Sequence, residues 1–289
     1  RERILKELPP LVLALAQKAK QYQIGFTIDA EEADRLDLSL DLIKIVFTDP
    51  SLADWDGFGL AVQAYQKRAF YVIDWLGALA RHCQKNMMIR LVKGAYWDSE
   101  IKISQIQGFT DYPVFTRKYT TDVSYLACVK KLFEQSQYLF LQFGTHNAYT
   151  VAAILEFANH QEGFEFQCLY GMGHALYEEI VTQESYKKPC RIYAPVGIHQ
   201  DLLAYLVRRL LENGTNTAFV NRLSDKTLPI AKIIENPIAH VAALSTKPHP
   251  LIPKPQDIYK HWHNSTGIDL SNREVWINFR AALEQSRGR

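Results

Sequence analysis

Short apolar runs alternate with longer stretches of helical periodicity along most of this chain. Strand-like runs occupy residues 23–29, 58–65, 87–95, 138–146, 164–170 and 189–195. Apolar positions recur at helical spacing over residues 1–22, 30–45, 66–85, 122–136, 148–159 and 175–182, near residue 97, and from residue 200 onward. Because each strand is followed by a stretch long enough for a crossover helix, the pattern predicts a parallel sheet in an α/β fold.

Steady alternation favours a (β/α)8 TIM-like barrel over a doubly wound sheet, since no G-x-G-x-x-G follows any predicted strand. A barrel of this type needs eight strands. The pattern supplies six, and we expect the first two strands to lie upstream of residue 1. We assign residues 1–236 to this N-terminally incomplete barrel. Residues 237–289 then form a proline-rich linker, with KPHPLIPKP at 247–255, and the start of another region.

The helix predicted from residue 200 carries two distinct faces. Its apolar positions predict a buried stripe formed by Leu203, Leu206, Val207, Leu210 and Leu211. A second face gathers Tyr205, Arg208, Arg209 and Glu212. A tyrosine, two guanidinium groups and a carboxylate suit an anion-binding site, but a solvated helix face has the same spacing. Periodicity alone does not decide between these interpretations.

Polar side chains stand at or near the end of every predicted strand. They are Asp29, Gln63, Arg90, Lys93, His146, Gln167 and Tyr193. In a (β/α) barrel the carboxyl ends of all strands meet at one face, which is where functional side chains lie. One polar strand end is ordinary, because a strand must return to water. The convergence of a polar group from every strand favours a functional site.

The densest group of candidate residues is RLVKGAYWD at 90–98. Arg90 and Lys93 place two cations at one strand end, and Gly94 permits close approach of the backbone to a ligand. Tyr96 and Trp97 add flat apolar surfaces. Such a group suits a large planar anion with phosphates. The loop residues 116–118, Thr-Arg-Lys, either add phosphate contacts or form a solvated basic loop.

Composition and charge narrow the class of function. The chain has 33 basic and 31 acidic residues, a net charge of +2, so nucleic acid is not an expected partner. Its four cysteines lack C-x-x-C spacing, which argues against a structural zinc site and fits a reducing cytoplasm. His146 has no second histidine or acid at ligand spacing, so we expect no metal. No P-loop, nucleophile elbow or H-E-x-x-H supports an NTPase or a hydrolase.

Several long motifs resemble the proline dehydrogenase domain of bacterial bifunctional proline utilization A proteins. In order across roughly residues 24–225, they are TIDAEEADRLDLSL, QAYQKRA, RLVKGAYWDSEIK, THNA, FEFQCLYGMG and RIYAPVGIHQDLLAYLVRRLLENGTNTAFV. The tail, HPLIPKPQDIY through STGIDLS, resembles the connection into the aldehyde dehydrogenase half of those proteins. The resemblance therefore implies a bifunctional enzyme whose second activity is pyrroline-5-carboxylate dehydrogenase.

The resemblance also implies an FAD-dependent enzyme on a distorted (β/α)8 barrel. Such an enzyme oxidises L-proline to 1-pyrroline-5-carboxylate by hydride transfer to flavin N5, the first step of proline catabolism to glutamate. Its electrons pass to a quinone, which implies a cytoplasmic protein with peripheral contact at the inner membrane. No particular oligomeric state follows from the sequence.

Site residues carried over from the resemblance fall into three groups. The implied catalytic residues are Arg90, Asp29 and Tyr193. The implied proline site has Arg208 and Arg209 on the carboxylate, with Tyr193, Tyr205, Tyr96, Leu169 and Asp29 around the ring. The implied FAD site comprises Gln63, Arg90, Lys93, Gly94, Ala95, Trp97, Thr116, Lys118, His146, Gln167 and Glu212.

Two other hypotheses remain open from the sequence. The chain is alternatively another FAD barrel oxidoreductase, similar to a folate reductase, with a nicotinamide as electron donor. The second alternative is that the chain is a non-catalytic barrel that serves as a scaffold for a ligand or partner. The paired Arg208 and Arg209 together with Tyr193 argue against a scaffold, because a decayed site has no reason to keep them.

Overall fold

The structure is a computed structural model that describes residues 1–214, 229 and 234–287; in the helix that ends at Gly214, the side chains of residues 201 and 210–214 lie outside the described part. Helix α1 (Glu2–Gln21) precedes the sheet. The described strands are β1 (Phe26–Ile28), β2 (Phe58–Gln63), β3 (Met87–Val92), β4 (Leu139–Gly144), β5 (Phe164–Leu169) and β6 (Cys190–Tyr193). They lie in chain order, every neighbouring pair is parallel, and the sheet curls into a half-barrel.

Helices occupy the connections between the strands. They are α2 (Leu36–Phe47), α3 (Ala69–His82), α4 (Trp97–Gln107), α5 (Lys118–Glu134), α6 (Ala148–Ala158), α7 (His174–Thr182) and α8 (His199–Gly214). The predicted alternation of strands and helices is therefore confirmed in the described chain. The element ends differ most at α2, which begins at Leu36 instead of residue 30 because a 3-10 turn at Ala33–Arg35 precedes it.

Local sequence explains several of these boundaries. Asn147 caps α6, since its side chain accepts a hydrogen bond from the Thr150 backbone N–H at 3.0 Å. Gly108 ends α4 in the left-handed conformation, with φ of 62°. Each described strand is shorter than its predicted range, and β1, β3 and β4 end just before the polar residues Asp29, Lys93 and Thr145.

The core lies between the outer face of the sheet and the helices. Along β3, Ile89 and Leu91 are fully buried, whereas their neighbours Arg90 and Val92 are only partly buried. This alternation separates an outer apolar face from an inner face. The helices contribute apolar side chains to the outer layer, among them Ile73, Leu76, Tyr125, Val129, Leu132 and Ile154.

The inner face of the sheet carries polar side chains in register. Paired Cα positions on adjacent strands join Ala61 to Arg90, Arg90 to Gln142, and Gln142 to Glu165. Side chains two residues further along a strand point the same way. Gln63 on β2 and Gln167 on β5 therefore lie on this face as well, nearer the carboxyl ends of the strands.

The predicted buried stripe on α8 is wrong for the side chains that the structure describes. Leu203, Leu206 and Val207 are 53%, 46% and 42% exposed. The helix instead turns its other face, with Tyr205, toward the carboxyl ends of the strands. The two remaining stripe positions, residues 210 and 211, have side chains outside the described residues.

Residues after 236 pack against the helical side of the half-barrel. Helix α9 (Pro237–Ala243) contacts α5, where the ring of His240 stacks on Tyr119 with centroids 3.8 Å apart. Further along, the Tyr112 hydroxyl donates to the Pro253 carbonyl at 2.7 Å. Helix α10 (Arg273–Arg287) follows. The division of the chain near residue 236 stays a prediction. Within the described ranges, no helix is long and apolar enough to cross a membrane.

We expect Lys85→Met to destabilise the fold by about 2 kcal/mol. The buried Lys85 ammonium donates to the carbonyls of Phe47 at 2.9 Å and Leu52 at 2.8 Å. Methionine would remove both of these buried hydrogen bonds, and the Leu52 carbonyl would keep only the Trp55 N–H at 3.2 Å. Chemical denaturation followed by tryptophan fluorescence measures the loss. Lys44→Met, at an exposed position of α2, is the matched control and should leave the midpoint unchanged. Equal midpoints for both variants would contradict this role for Lys85.

Candidate active site

A cavity of about 380 Å³ opens at the carboxyl ends of the strands. Most residues predicted for the site line it: Asp29, Gln63, Arg90, Lys93, Gly94, Ala95, Tyr96, Lys118, His146, Gln167, Leu169, Tyr193, Tyr205, Arg208 and Arg209. Strands β2 to β6 contribute to its lining, together with residues that follow β1, β3 and β4, the first residue of α5, and α8. The volume falls within the range of small-molecule sites, about 300–1,000 Å³.

Each arginine that lines the cavity in the described chain lies over a tyrosine ring. The distances from guanidinium carbon to ring centroid are 5.6 Å for Arg90–Tyr193, 5.3 Å for Arg208–Tyr96 and 5.2 Å for Arg209–Tyr205. Stacking on an aromatic face fixes the plane of a guanidinium and leaves its N–H edge available for a planar anion.

Arg90 has a second partner, because it forms an ion pair with Asp29 at the end of β1. Burial lowers the pKa of Arg90 and the neighbouring Arg209 lowers it further, against the raising effect of the Tyr193 and Tyr205 hydroxyls. The ion pair with Asp29 places a carboxylate beside this buried guanidinium, which also has a second cation, Arg209, nearby. The Arg90 side chain, on β3, is thus held between Asp29 after β1 and the Tyr193 ring on β6.

Tyrosine side chains form uncharged walls. The Tyr193 and Tyr205 rings lie 6.1 Å apart at 57°. Burial raises the pKa of Tyr205 to about 12, with a further contribution from Tyr193. Burial also raises the pKa of Tyr96, as does the hydrogen bond that its hydroxyl donates to Glu31. The Tyr205 and Tyr96 phenols are therefore neutral at neutral pH, and the tyrosine rings offer apolar surface beside the arginines.

The backbone after β3 forms a cradle on another side of the cavity. Gly94 adopts a φ of 137°, and a Cβ there would lie 2.5 Å from the Tyr65 ring, so only glycine fits. The Ala95 N–H donates to Gln63 Oε1 at 3.2 Å, and Gln63 Nε2 donates to the Glu31 carbonyl at 2.8 Å. Gln63 thereby joins the β1–α2 loop to the cradle.

Two further side chains of the cavity are held by specific polar contacts. Lys93 forms an ion pair with Asp122 on α5. His146 Nε2 accepts the Leu169 backbone N–H at 3.2 Å, which leaves the proton of the neutral imidazole on Nδ1. Burial lowers the pKa of His146, and Arg209 lowers it further. His146 is therefore an uncharged bridge between β4 and β5.

Three predicted site residues are not brought to this cavity. Trp97 begins α4, and its indole N–H donates to the Phe115 carbonyl at 2.8 Å. The Thr116 hydroxyl accepts the His249 backbone N–H at 2.9 Å, so it contacts the segment after α9. The side chain of Glu212 lies outside the described residues. Their cofactor-binding roles stay predictions.

Sequence reasoning missed several residues that line the cavity: Ala30, Glu31, Ala61, Val92, Gly144, Thr145, Asn147 and Cys168. A period-two count from Gln63 and Arg90 would have found Ala61 and Val92, because alternate residues of a strand share one face. Glu31 carries no such signal, since it lies in the loop after β1.

Charge and hydrogen-bonding capacity of the cavity suit an anionic ligand. Its described lining has five cationic side chains against two carboxylates: Arg90, Lys93, Lys118, Arg208 and Arg209, with Asp29 and Glu31. The Arg208 Nε is buried and has no hydrogen-bond partner among the described residues. Together with the cradle at Gly94, these groups fit a flavin whose phosphates and ring need donors. No group of three potential metal ligands lies together in the described ranges.

A half-barrel with a cationic, tyrosine-walled cavity at its strand ends defines a (β/α)-barrel enzyme for an anionic ligand with an apolar body. The family model described as proline dehydrogenase matches residues 5–222, and the chain belongs to the proline dehydrogenase family. Enzymes of this family are in general flavin-dependent.

Relatives support this assignment across the chain. The bifunctional protein PutA of Escherichia coli (strain K12) is 51% identical over 298 residues, which cover 99% of this chain and 23% of that protein. Proline dehydrogenase 1 of Bacillus subtilis (strain 168) is 30% identical over 211 residues, covering 72% of this chain and 60% of that protein. A crystal structure of a Bradyrhizobium japonicum proline utilization A variant matches with a TM-score of 0.95 and 50% identity, covering 99% of this chain and 29% of that chain. The chain thus spans only about a quarter of its bifunctional relatives.

We expect His146 to make stability depend on pH. Its folded pKa lies below the ordinary value of 6.5, so the unfolded chain takes up the proton first as pH falls. The contribution of His146 to the free energy of unfolding is complete above pH 6.5, and it is lost as the pH falls toward the lower pKa of the folded state. His146→Asn should therefore flatten the decline of Tm between about pH 7 and about pH 5, measured by differential scanning fluorimetry. His261→Asn, at an exposed position, should keep the wild-type slope; a wild-type slope in His146→Asn would contradict the prediction.

Proposed function

We propose that this chain is the proline dehydrogenase region of a larger flavoprotein and that it oxidises L-proline to 1-pyrroline-5-carboxylate with FAD as cofactor. The observation that carries the proposal is the adjacent pair Arg208 and Arg209, stacked on tyrosine rings of one cavity, in a chain of the proline dehydrogenase family. The pair supplies the charge that an amino-acid carboxylate needs, and the rings supply the apolar surface.

Arg208 and Arg209 are proposed to bind the carboxylate of proline. Two guanidinium groups offer charge-assisted hydrogen bonds in a planar arrangement that matches a carboxylate. The stacking of each group on a tyrosine orients it before the substrate arrives. A carboxylate would also supply an acceptor close to the buried Arg208 Nε, which lacks one among the described side chains.

The apolar ring of proline is proposed to lie against Tyr193, Tyr205, Tyr96 and Leu169. These side chains line the same cavity as the arginine pair. Since the raised pKa values of Tyr205 and Tyr96 keep both hydroxyls protonated, the walls add no anionic charge beside the substrate. The walls also exclude water from the reacting carbon, and they hold the ring in one orientation.

A bound FAD would supply the redox chemistry, with its N5 atom as the acceptor of a hydride from the proline ring carbon beside nitrogen. The proposed role of the chain is to bind the proline and the FAD and to orient them relative to each other. Arg90, held by Asp29 and Tyr193, is proposed beside N5, and these three residues form the proposed catalytic group. Gln63 and Lys93 are proposed at the pyrimidine end. The other proposed contacts are Gly94, Ala95, Trp97, Thr116, Lys118, His146, Gln167 and Glu212.

For the whole protein we extend the proposal to a bifunctional enzyme. The Escherichia coli relative, of which this chain covers 23%, is a bifunctional protein, and the similarity continues through the residues after 236. We propose a quinone as electron acceptor, a cytoplasmic location and peripheral contact with the inner membrane. With a net charge of +2 over 289 residues, this region carries no charge excess that would suit nucleic acid.

The protein, expressed as its gene encodes it, should purify yellow with bound FAD. Anaerobic addition of L-proline should bleach the visible flavin absorption, because the flavin becomes reduced. NADH added in place of proline is the control, and it should leave the spectrum unchanged. Bleaching by NADH but not by proline would favour the folate reductase-like alternative, and a colourless, proline-inert protein would overturn the proposed function.

Arg208→Met and Arg209→Met should each weaken proline binding by about 2 kcal/mol or more, which is roughly thirtyfold in Kd. Each change removes one partner of a charge that the substrate buries. Titration of the flavin spectrum with a non-oxidisable cyclic carboxylate measures the affinity. Arg280→Met on α10 removes the same charge where Arg280 pairs with Glu284, far along the chain from the cavity, and should bind normally. Unchanged affinity in both cavity variants would exclude the pair from the substrate site.

A further inference from the structure

A buried carboxylate lies on the inner face of β5, two residues before the cavity residue Gln167. Glu165 is 4% exposed. Its Oε1 accepts hydrogen bonds from Gln142 Nε2 at 2.8 Å, from Gln167 Nε2 at 2.9 Å and from Arg191 Nε at 2.8 Å. A fourth bond runs from the Arg191 terminal nitrogen to Oε2 at 2.8 Å. Neighbouring strands β4, β5 and β6 therefore share this one acceptor group.

The Glu165 carboxylate stays ionised. Burial would raise its pKa, but the bidentate contact with Arg191 and the two amide donors outweigh burial and lower the pKa below its ordinary value. An ionised carboxylate only accepts hydrogen bonds. It can therefore be approached only by the NH2 side of a glutamine amide.

This restriction fixes how Gln167 faces the cavity. The nitrogen and oxygen of a primary amide are attached to the same carbon and point in different directions. With its Nε2 bound to Glu165, Gln167 turns its Oε1 away from the carboxylate. Because Gln167 lines the cavity and one Nε2 hydrogen is bound to Glu165, its Oε1 is available to a ligand as a hydrogen-bond acceptor in a fixed direction.

We infer that Glu165 is a positioning residue for the cofactor: it locks the Gln167 amide so that Oε1 accepts a hydrogen bond from the ring N–H of the bound flavin. The inference rests on the proposed FAD-dependent function. It assigns Glu165 no contact with substrate or cofactor. Gln142 is held by the same oxygen but does not line the described cavity, so it serves as an internal comparison.

A merely structural role would give a different result. If Glu165 only stabilises the packing of β4, β5 and β6, its replacement weakens FAD binding whatever residue stands at 167. If it acts through the amide, its effect disappears once that amide is gone. A double-mutant cycle measures this difference directly.

The experiment uses the protein as its gene encodes it, stripped of flavin and titrated with FAD by fluorescence quenching. E165Q can both donate and accept at residue 165, so the Gln167 amide loses its single orientation. We expect a Kd for FAD at least about tenfold higher, or ~1.4 kcal/mol, in the wild-type and Gln142→Met backgrounds. In the Gln167→Met background the change should be about twofold or less, because the two residues are coupled; independent residues would show the same roughly tenfold change in every background.

Glu162→Gln is the matched control. It removes the same charge just before β5, where Glu162 pairs with Lys188 at 2.7 Å and its side chain is 82% exposed, and it should leave the Kd unchanged. Should E165Q fail to fold without flavin, as judged by its Tm, the same cycle is run with E165D, which keeps the charge but shortens the reach.

Two outcomes overturn the inference alone. They are an equal rise in Kd for all three backgrounds, and no rise in any of them, in a wild-type protein that binds FAD and is reduced by proline. A wild-type protein that binds no FAD overturns the proposed function, and this inference with it. A rise in Kd caused by E165Q in the wild-type and Gln142→Met backgrounds but not in the Gln167→Met background supports the inference.

Discussion

The parallel register of the six described strands determines what the cavity contains. Paired positions align Arg90 with Gln142 and Gln142 with Glu165, so polar side chains from three strands share one level of the inner face. Side-chain direction alternates along a strand. A slip of one residue in β3 would turn Arg90 into the apolar layer beneath the helices and bring Ile89 or Leu91 toward the cavity. The fully buried outer residues oppose such a slip, and the packing of the core therefore secures the geometry of the site.

Two cations of the cavity and one cation on β6 form ion pairs with acidic side chains, and these pairs make the cationic cavity compatible with a stable fold. The ion pairs are Arg90 with Asp29, Lys93 with Asp122, and Arg191 with Glu165. A buried charge without a partner is costly, whereas a paired and hydrogen-bonded one is tolerated. The pairs also restrict rotamers, so the side chains are oriented before a ligand binds. Stability and preorganisation thus depend on the same contacts.

Sequence patterns predicted the strands, their order and most of the cavity, because these features follow from local periodicity and from the geometry of parallel sheets. Trp97 and Thr116 were predicted to bind the cofactor, but neither lines the cavity. Both stand close in sequence to residues that line the cavity, yet Trp97 turns to the Phe115 carbonyl and Thr116 to the His249 backbone. His249 lies more than a hundred positions further along the chain, and no local pattern encodes such a contact. Glu31 was missed for the same reason, since a loop residue has no periodic signal.

Helix α8 shows why hydrophobic periodicity identifies a helix more reliably than it identifies the buried face. The rule that the apolar stripe faces inward assumes an apolar neighbour. At the carboxyl ends of a parallel sheet the neighbour is a polar rim, and α8 meets it with Tyr205, Arg208 and Arg209. Arg208 stacks on Tyr96 across this interface, and Arg209 stacks on Tyr205 of the same helix. Leu203, Leu206 and Val207 are consequently turned to the opposite side. In α8 the side chains that face the strand ends are therefore polar and charged, and the apolar stripe identified the helix but not the face that it turns to the sheet.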